Sequence, residues 1–176
     1  FDRAFNMSYQ WNVHHIMVDI AKGARRVWDL RNAIHAERAR YPREAMRMSF
    51  TSNHDENSWS GSEHSRFGRA LEVMTAMTFL MPSTMPLIYT GQEVGYDHSF
   101  EFFERDAIPA EKYTESHTTK FYRSLCALKH KERALDSGER GGDMIEIVPE
   151  SLLNFEYMSA LIILVFTNSF NQYSIS

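Results

Sequence analysis

The sequence predicts an α/β fold in which alternating strands and helices are followed by a small antiparallel β module. Strand-like and helix-like segments alternate from Ala4 to about Gly138, an order that is typical of β/α units with parallel strands. The segment MPLIYTG is short and almost wholly apolar, as expected of a parallel strand that is covered on both faces. After ERGGD, strand-like runs follow one another with no helix between them, which indicates antiparallel pairing.

The first two predicted strands enclose two predicted helices. The strands lie within Ala4–Tyr9 and Ala45–Phe50, where apolar and polar residues alternate. Apolar residues at helical spacing predict helices over His14–Gly23 and Ala24–Arg40. The glycine that ends the first segment is expected to stop its helix, and Pro42 is expected to close the second.

The next segments predict a loop, a long helix, a strand and a further helix. The stretch 53–62 is rich in Ser, Asn and Gly and is predicted to be a loop. A regular period of apolar residues predicts one helix over His64–Met81, and Met85–Gly91 is the apolar strand. A long polar loop over 92–115 precedes a helix that begins near Ser116. The core face of this helix is predicted to consist of Phe121, Leu125 and Leu128.

The length of the chain limits what these units can build. A closed (β/α)8 TIM barrel takes about 250 residues, or roughly 30 per unit. We therefore predict that residues 1–138 form the last strands and helices of such a barrel. The runs MIEIV, LLNFEYM and ALIILVFTN predict that residues 139–176 begin an antiparallel β-sandwich, a C-terminal all-β domain.

Composition excludes several classes of function. The net charge is −4, acids and bases are mixed along the chain, and without a basic stripe nucleic acid is not an expected partner. The single cysteine, Cys126, excludes an internal disulfide and a cysteine-based zinc site. The most apolar run, ALIILVF, is too short to cross a bilayer. Because the chain begins at Phe1 and not at Met, we expect its native N-terminus to be absent, and the cellular compartment stays open.

Two motifs in the chain carry a resemblance to a known family. By itself, Asn53-His54-Asp55 would fit a polar turn with a local cap. The longer segment FTSNHDENSW, however, resembles the strand-seven motif of the α-amylase superfamily of glycoside hydrolases, and MPLIYTGQEVG resembles its strand-eight motif. The spacing of about 30 residues between them fits one β/α unit. FDRAFNMSYQWNVHH and FFERDAI are similar to the strand-six region and to the loop after strand eight, so the resemblance covers almost the whole chain.

The resemblance implies that Asp55 is a catalytic carboxylate that binds the hydroxyls of the sugar being cleaved. Barrel enzymes carry their chemistry at the C-terminal ends of strands, and an oxocarbenium-like transition state needs nearby carboxylates and hydrogen bonds. His54 is expected to donate to the same sugar, whereas Asn53 is expected to hold the turn. We assign Glu56 and Trp59 to substrate binding; the alternatives are a surface charge for Glu56 and packing on the barrel rim for Trp59.

Five further residues are assigned from the same resemblance. Tyr89, Gln92 and Glu93 lie within the second motif and are expected to brace the site by buried hydrogen bonds. Arg105 and Asp106 lie in a loop that in relatives reaches the next sugar. We assign both to substrate binding, and the alternative is a surface ion pair.

No metal or other cofactor is assigned to this chain. His14, His15 and Asp19 are close in sequence, but we interpret them as helix residues that face neighbouring elements and not as metal ligands. Calcium is common in the family, where a domain inserted after strand three mostly holds it. The resemblance therefore allows calcium in the full-length protein, and we assign no ligands for it here.

The resemblance implies a retaining glycoside hydrolase that acts on α-glucans such as starch or maltodextrin. Retention needs a nucleophile and an acid/base, which in this family follow strands four and five. Neither stretch is in this sequence, and Asp55 and Glu56 cannot replace them because neighbouring residues at a strand end point to different sides. We therefore expect this chain alone to be inactive. Two alternatives stay open: a transglycosylase of the same family, and a non-catalytic sugar-hydrolase-like ectodomain such as that of amino-acid transporter heavy chains.

Overall fold

Residues 4–147 and 163–167 are described by the computed structural model. The helices and strands are, in chain order, β1 (Met7–Tyr9), α1 (Trp11–Ala21), α2 (Val27–Arg40), β2 (Met46–Ser49), α3 (His54–Ser60), α4 (Glu63–Phe67), α5 (Leu71–Leu80), β3 (Thr84–Pro86), α6 (His117–Lys131), β4 (Asp143–Ile147) and β5 (Ile163–Thr167). Strands β1, β2 and β3 form a parallel sheet in that order, and β4 and β5 form an antiparallel pair. The predicted α/β class is therefore confirmed. Closure into a (β/α)8 barrel, a β-sandwich, and the division of the chain near residue 138 stay predictions.

The register of the parallel sheet gives its two faces different surroundings. Tyr9, Met48 and Met85 lie side by side, so their side chains share one face. Arg47 points to the other face, where its Nη2 lies 3.2 Å from Oε1 of Glu37 on α2. The helices thus cover the Arg47 face of the sheet.

The main apolar core lies between α1, α2, α4 and α5. In α1 and α2 its members recur at three- and four-residue spacing, which is the pattern that predicted those helices. The buried members are Val13, Ile16, Met17, Ile20, Leu30, Ala33, Ile34, Phe67, Met74 and Met81. A smaller cluster of Phe79, Tyr122 and Leu125 joins α5 to α6. The prediction for α6 was partly wrong, because Tyr122 takes the inward position and Leu128 is exposed.

The predicted loop over 53–62 is mostly the helix α3, and that prediction was wrong. The Asn53 Oδ1 accepts a hydrogen bond from the backbone N–H of Glu56 at 2.8 Å, which caps the helix N-terminus. Asp55 and Glu56 lie in the first turn, where the helix dipole favours carboxylates. The Ser- and Asn-rich composition indicated a loop, but the same residue types also begin helices.

The long helix predicted over His64–Met81 is two helices, α4 and α5, joined by one 3₁₀ turn. The break falls at Gly68, whose φ of 49° is in the region that favours glycine. Phe67, Met74 and Met81 are nevertheless all buried. Because the apolar period continues across the turn, the sequence pattern conceals the break.

Strand β3 is shorter than the predicted strand Met85–Gly91 and begins one residue earlier. The backbone N–H of Leu87 donates to the Ser49 carbonyl at 2.8 Å. Beyond Leu87 the chain leaves the sheet, because the next segment turns towards Gln92. Within the described residues β3 pairs only with β2, and Met85 is 40% exposed. The prediction that this strand is covered on both faces was therefore wrong for the part of the chain described.

The antiparallel pair follows the parallel sheet, as the runs MIEIV and ALIILVFTN predicted. Arg38 and Arg43 both pair with the carboxylate of Asp143, at 3.1 and 3.3 Å, and so connect β4 to α2 and to the turn before β2. The predicted strand LLNFEYM lies outside the described residues. Among the helices of 4–147, none has the length and apolar character needed to span a membrane.

Candidate active site

The polar motif Asn53-His54-Asp55 lies where the chain leaves β2 and enters α3. Strand β2 ends at Ser49, and Phe50, Thr51 and Ser52 form a buried connection to the helix. The motif therefore follows the C-terminal end of a parallel strand, the edge at which α/β enzymes carry their reactive groups.

His54 and Asp55 are the members of the motif that face solvent. Their side chains are 57% and 46% exposed, and the His54 Nε2 lies 3.4 Å from an Asp55 carboxylate oxygen. Asn53 differs, because its side chain is buried and caps α3. Among the described residues the buried Asn53 Nδ2 has no hydrogen-bond partner. One N–H donor next to His54 and Asp55 is therefore unused within this part of the chain.

Glu56 is turned inwards and is only 14% exposed. Its Oε2 lies 3.3 Å from His14 Nε2 and 3.6 Å from Arg66 Nη1, while its Oε1 lies 3.8 Å from the exposed His15. Burial favours a raised pKa for Glu56, but His14 and then Arg66 outweigh burial and lower that pKa. These contacts fit a positioning role; the assignment of Glu56 to substrate binding stays a prediction.

His14 is buried behind this carboxylate. Its Nδ1 lies 3.0 Å from the Phe50 carbonyl oxygen, which can only accept, so Nδ1 carries a proton. Burial is the main cause that lowers the pKa of His14, although the hydrogen bond to Phe50 and the charge of Glu56 oppose the shift. His14 Nε2 lies between the Glu56 carboxylate and Arg66 Nη1, at 3.3 and 3.4 Å, and Arg66 is a second cationic group beside Glu56.

Arg66 joins the C-terminal end of α3 to the connection after β2. It donates to the Thr51 carbonyl at 2.8 Å, to Ser52 Oγ at 2.9 Å and to the Gly61 carbonyl at 3.0 Å. With its guanidinium buried, these fixed acceptors replace water. Arg66 therefore sets the position of the backbone that presents the motif.

A second buried network joins the segment after β3 to the segment after β2. Gln92 Nε2 donates to Thr51 Oγ1 at 2.8 Å and to the Glu63 carboxylate, and Gln92 Oε1 accepts from the Tyr89 backbone N–H at 2.6 Å. Thr51 in turn donates to Glu63 at 2.9 Å. Burial raises the pKa of the Tyr89 phenol, which therefore stays neutral. Glu93 is partly exposed at the same turn.

The loop over 97–106 is anchored to α3 and to itself. Asn57 donates to the His98 carbonyl at 2.8 Å and accepts from the Phe100 N–H at 2.7 Å. The Asp106 carboxylate lies 2.7 Å from His98 Nε2 and accepts from the Glu101 N–H at 3.0 Å. The hydrogen bond from His98 is the main cause that lowers the pKa of Asp106. Asp106 thus pairs with His98 and not with its neighbour Arg105, which is exposed.

Aromatic side chains flank the exposed His54 and Asp55. Trp59 is 67% exposed, and its ring centroid lies 5.3 Å from that of Phe102. Phe102 also lies 6.2 Å from the ring of His54. Trp59 is therefore close to the motif, and its neighbour Phe102 was not among the predicted site residues.

The part of the chain that the structure describes contains no group of three His, Cys, Asp or Glu side chains arranged to hold a metal ion. Asp19 pairs with Arg25 at 3.0 Å, whereas His14 and His15 lie against Glu56. Asp19 thus faces a cation, and the two histidines face a carboxylate. Calcium in the full-length protein stays a prediction.

Sequence reasoning missed the residues that hold the site together. Their signals in the sequence were weak, since each is one polar residue within an amphipathic or loop segment. They are Asn57, Glu63, Arg66 and Phe102. An arginine on the buried face of a predicted helix, as at Arg66, is the signal that deserved weight, because a buried charge requires partners.

No protein-family model matches the chain, and no curated protein matches it. Solved structures do match. A noncanonic maltogenic α-amylase from Thermotoga neapolitana has a TM-score of 0.70 and 22% identity, over 84% of this chain and 33% of that chain. An α-amylase from Lactobacillus plantarum has a TM-score of 0.63 and 23% identity, over 82% and 32%.

A third match is a cyclic α-maltosyl-(1→6)-maltose hydrolase from Arthrobacter globiformis, solved in complex with cyclic α-maltosyl-(1→6)-maltose. It has a TM-score of 0.62 and 17% identity, over 80% of this chain and 31% of that chain. The chain thus spans about a third of the length of the solved structures that it matches. At these identities the likeness establishes the fold. The chain therefore has an α-amylase-like fold, of which it forms a part.

Proposed function

We propose that the chain is part of a retaining glycoside hydrolase that cleaves α-glucosidic bonds in starch or maltodextrin. The observation that carries the proposal is the exposed His54 and Asp55 pair after a parallel strand, in a fold shared with α-amylases. The matching Arthrobacter globiformis hydrolase binds cyclic α-maltosyl-(1→6)-maltose, and the Thermotoga neapolitana enzyme is a maltogenic α-amylase, which supports the choice of an α-glucan.

Asp55 is the catalytic residue that we assign within this chain. Its carboxylate would accept hydrogen bonds from sugar hydroxyls, and these bonds strengthen as the ring distorts towards an oxocarbenium ion. His54, whose Nε2 is at the same exposed edge, would donate to the same sugar. Trp59, Arg105 and Asp106 are proposed to contact further parts of the substrate.

The nucleophile and the acid/base are proposed to come from residues outside this chain. Glu56 is a poor candidate for either role, because its carboxylate is occupied by His14 and Arg66. Asp55 supplies one carboxylate. A retaining mechanism also requires a nucleophile and an acid/base, whose carboxyl groups lie about 5–5.5 Å apart. The chain is thus proposed to hold the sugar and not to complete the reaction.

The test is Asp55→Asn in the protein expressed from its complete coding sequence. We expect kcat for maltodextrin hydrolysis to fall by about 100-fold or more, with an unchanged melting temperature, because the lost interaction is strongest in the transition state. Reducing-sugar release measures the rate, and chromatography of the products separates hydrolysis from transglycosylation. A rate within about threefold of the wild type would overturn the assignment of Asp55.

His54→Ala in the same protein is expected to lower the rate of hydrolysis less than Asp55→Asn does. Loss of one hydrogen-bond donor should remove roughly 2–4 kcal/mol of transition-state stabilisation, while the carboxylate remains. The ratio of kcat/KM between the wild type and the variant measures this loss. Unchanged values for both kcat and KM would show that His54 does not face the sugar.

A further inference from the structure

The exposed aromatic side chains beside His54 and Asp55 form one contiguous cluster. Phe102 is at its centre, with ring centroids 5.3 Å from Trp59, 4.8 Å from Phe103 and 6.2 Å from His54. Trp59 is 67% exposed and Phe103 is 82% exposed. Three large aromatic side chains that are exposed together indicate a binding surface more strongly than a single one would.

Polar contacts beneath the cluster fix its position. Asn57, two residues before Trp59 on α3, bonds to the backbone of His98 and Phe100, two residues before Phe102. Asp106 closes the other end of the same loop by accepting from the Glu101 N–H at 3.0 Å. The backbone that carries Phe102 is therefore held in place, and the described residues leave the rings exposed, so that a ligand would lose little free energy in ordering this loop.

We propose that Trp59 and Phe102 form a stacking platform for a second glucose unit of the α-glucan, next to the unit held by His54 and Asp55. The inference rests on the proposed function and extends it to the length of the substrate. The reason is that the platform is continuous with the motif, because the His54 ring contacts Phe102. A sugar at Asp55 and a sugar on the platform would therefore be consecutive units of one chain.

The chemistry of the surface matches a pyranose better than a purely apolar ligand. A pyranose offers C–H groups on its faces, which pack on aromatic rings, and hydroxyls around its rim, which need hydrogen-bond partners. Both are present here, because the platform borders the exposed carboxylate of Asp55 and the imidazole of His54. An apolar ligand would instead desolvate that carboxylate without replacing its hydrogen bonds.

The test compares substrates of different length in the protein expressed from its complete coding sequence. We expect Trp59→Ala and Phe102→Leu each to raise KM for maltoheptaose by roughly tenfold, with kcat nearly unchanged, because the lost contact is made equally in the ground and transition states. For maltotriose the rise in KM should be similar, since two of its three units fill the site at Asp55 and the adjacent platform, whereas the inhibition constant of free glucose, which has no second unit, should change by less than about threefold. Trp59→Phe should retain most of the affinity.

Trp28→Ala is the matched control. Trp28 is also an exposed tryptophan, but it lies on α2 with the Arg31 guanidinium 4.4 Å from its ring. We expect this variant to behave as the wild type with both substrates.

The outcomes separate this inference from the proposed function. If the wild type turns over maltoheptaose and the platform variants match it, only the platform is overturned. If Trp59→Ala lowers the melting temperature and leaves KM unchanged, the cluster packs against another part of the protein, and the platform is again overturned. If the wild type neither binds nor hydrolyses any α-glucan, the proposed function fails and the platform fails with it.

Discussion

Arg66 is the residue on which the local geometry of the candidate site depends most. It bonds to the connection after β2 through Thr51 and to the end of α3 through Gly61, and it balances the charge of Glu56. Because all of these groups are buried or nearly so, water cannot replace a missing partner at low cost. The exposed His54 and Asp55 therefore rest on a charged network that they do not touch directly.

We expect Arg66→Met to destabilise the protein by about 3–5 kcal/mol, because the substitution leaves the Glu56 carboxylate buried without its cation. Urea denaturation followed by tryptophan fluorescence measures the change. Arg69→Met, at an exposed arginine one turn later, is the matched control and should stay within about 0.5 kcal/mol.

A double variant tests the cause of that loss. Adding Glu56→Gln to Arg66→Met removes the uncompensated charge, so we expect it to restore part of the stability. Equal stability of Arg66→Met and Arg69→Met, or no recovery in the double variant, would contradict the network as described.

At the scale of elements, Lys129 joins the end of α6 to the end of α5. Its Nζ donates to the Phe79 carbonyl at 3.1 Å and to the Leu135 carbonyl at 2.8 Å. Burial lowers the pKa of Lys129 to about 8, although Asp136 opposes the shift. A lysine that loses its proton more easily when folded makes stability depend on pH.

The direction of this dependence follows from proton counting. Between the folded pKa of about 8 and the ordinary value of 10.5, the unfolded chain binds a proton at Lys129 that the folded chain has released. Stability contributed by this group should therefore rise with pH across that window, and below it the cost of burying the charge is fully present.

Melting temperatures at pH 7.5 and 9.5 for the wild type and for Lys129→Met check this expectation. The melting temperature of the wild type minus that of Lys129→Met should be larger at pH 9.5 than at pH 7.5. Lys131→Met, at an exposed lysine two residues later, supplies the baseline. If this difference in melting temperature stays constant or becomes smaller as the pH rises, the predicted effect of Lys129 is contradicted.

For the whole molecule, the open face of the parallel sheet is the dominant feature. Tyr9, Met48 and Met85 share that face, and both Tyr9 and Met85 are exposed in the part of the chain described. The helices cover the opposite face, so the two sides of the sheet differ strongly in their exposure to water. Among the described residues the edge strands β1 and β3 pair on one side only, and such edges beside an apolar sheet face favour association with other chains.

We therefore predict that residues 1–176, expressed alone, form oligomers or aggregates and release no reducing sugar from soluble starch. The first outcome follows from the open sheet face, and the second from the proposed absence of the nucleophile and the acid/base. Light scattering and a reducing-sugar assay measure them. A stable monomer would contradict the first expectation, and measurable turnover would show that the catalytic residues were misplaced.

The types and order of most elements, and the position of the polar motif after β2, could be predicted from the amino-acid sequence. These features depend on residues close together in the chain, such as the apolar spacing in α1 and α2 and the run that precedes Asn53. The ends of the helices were harder to predict. Asn53 is of a residue type that suits both a loop and a helix cap, and Gly68 interrupts a helix although the apolar period continues across it.

The side chains that surround the motif could not be predicted in the same way, because folding brings them together from distant parts of the chain. Arg66 reaches Thr51 across 15 residues, and Asn57 reaches His98 across 41, separations at which spacing in the sequence carries no information about contact. The same holds for Trp59 and Phe102, which are assembled into one cluster by the loop that Asn57 anchors. The physical reason is that the partner of a buried charge or an exposed ring is chosen by packing, whereas a helix or strand is chosen by its own residues.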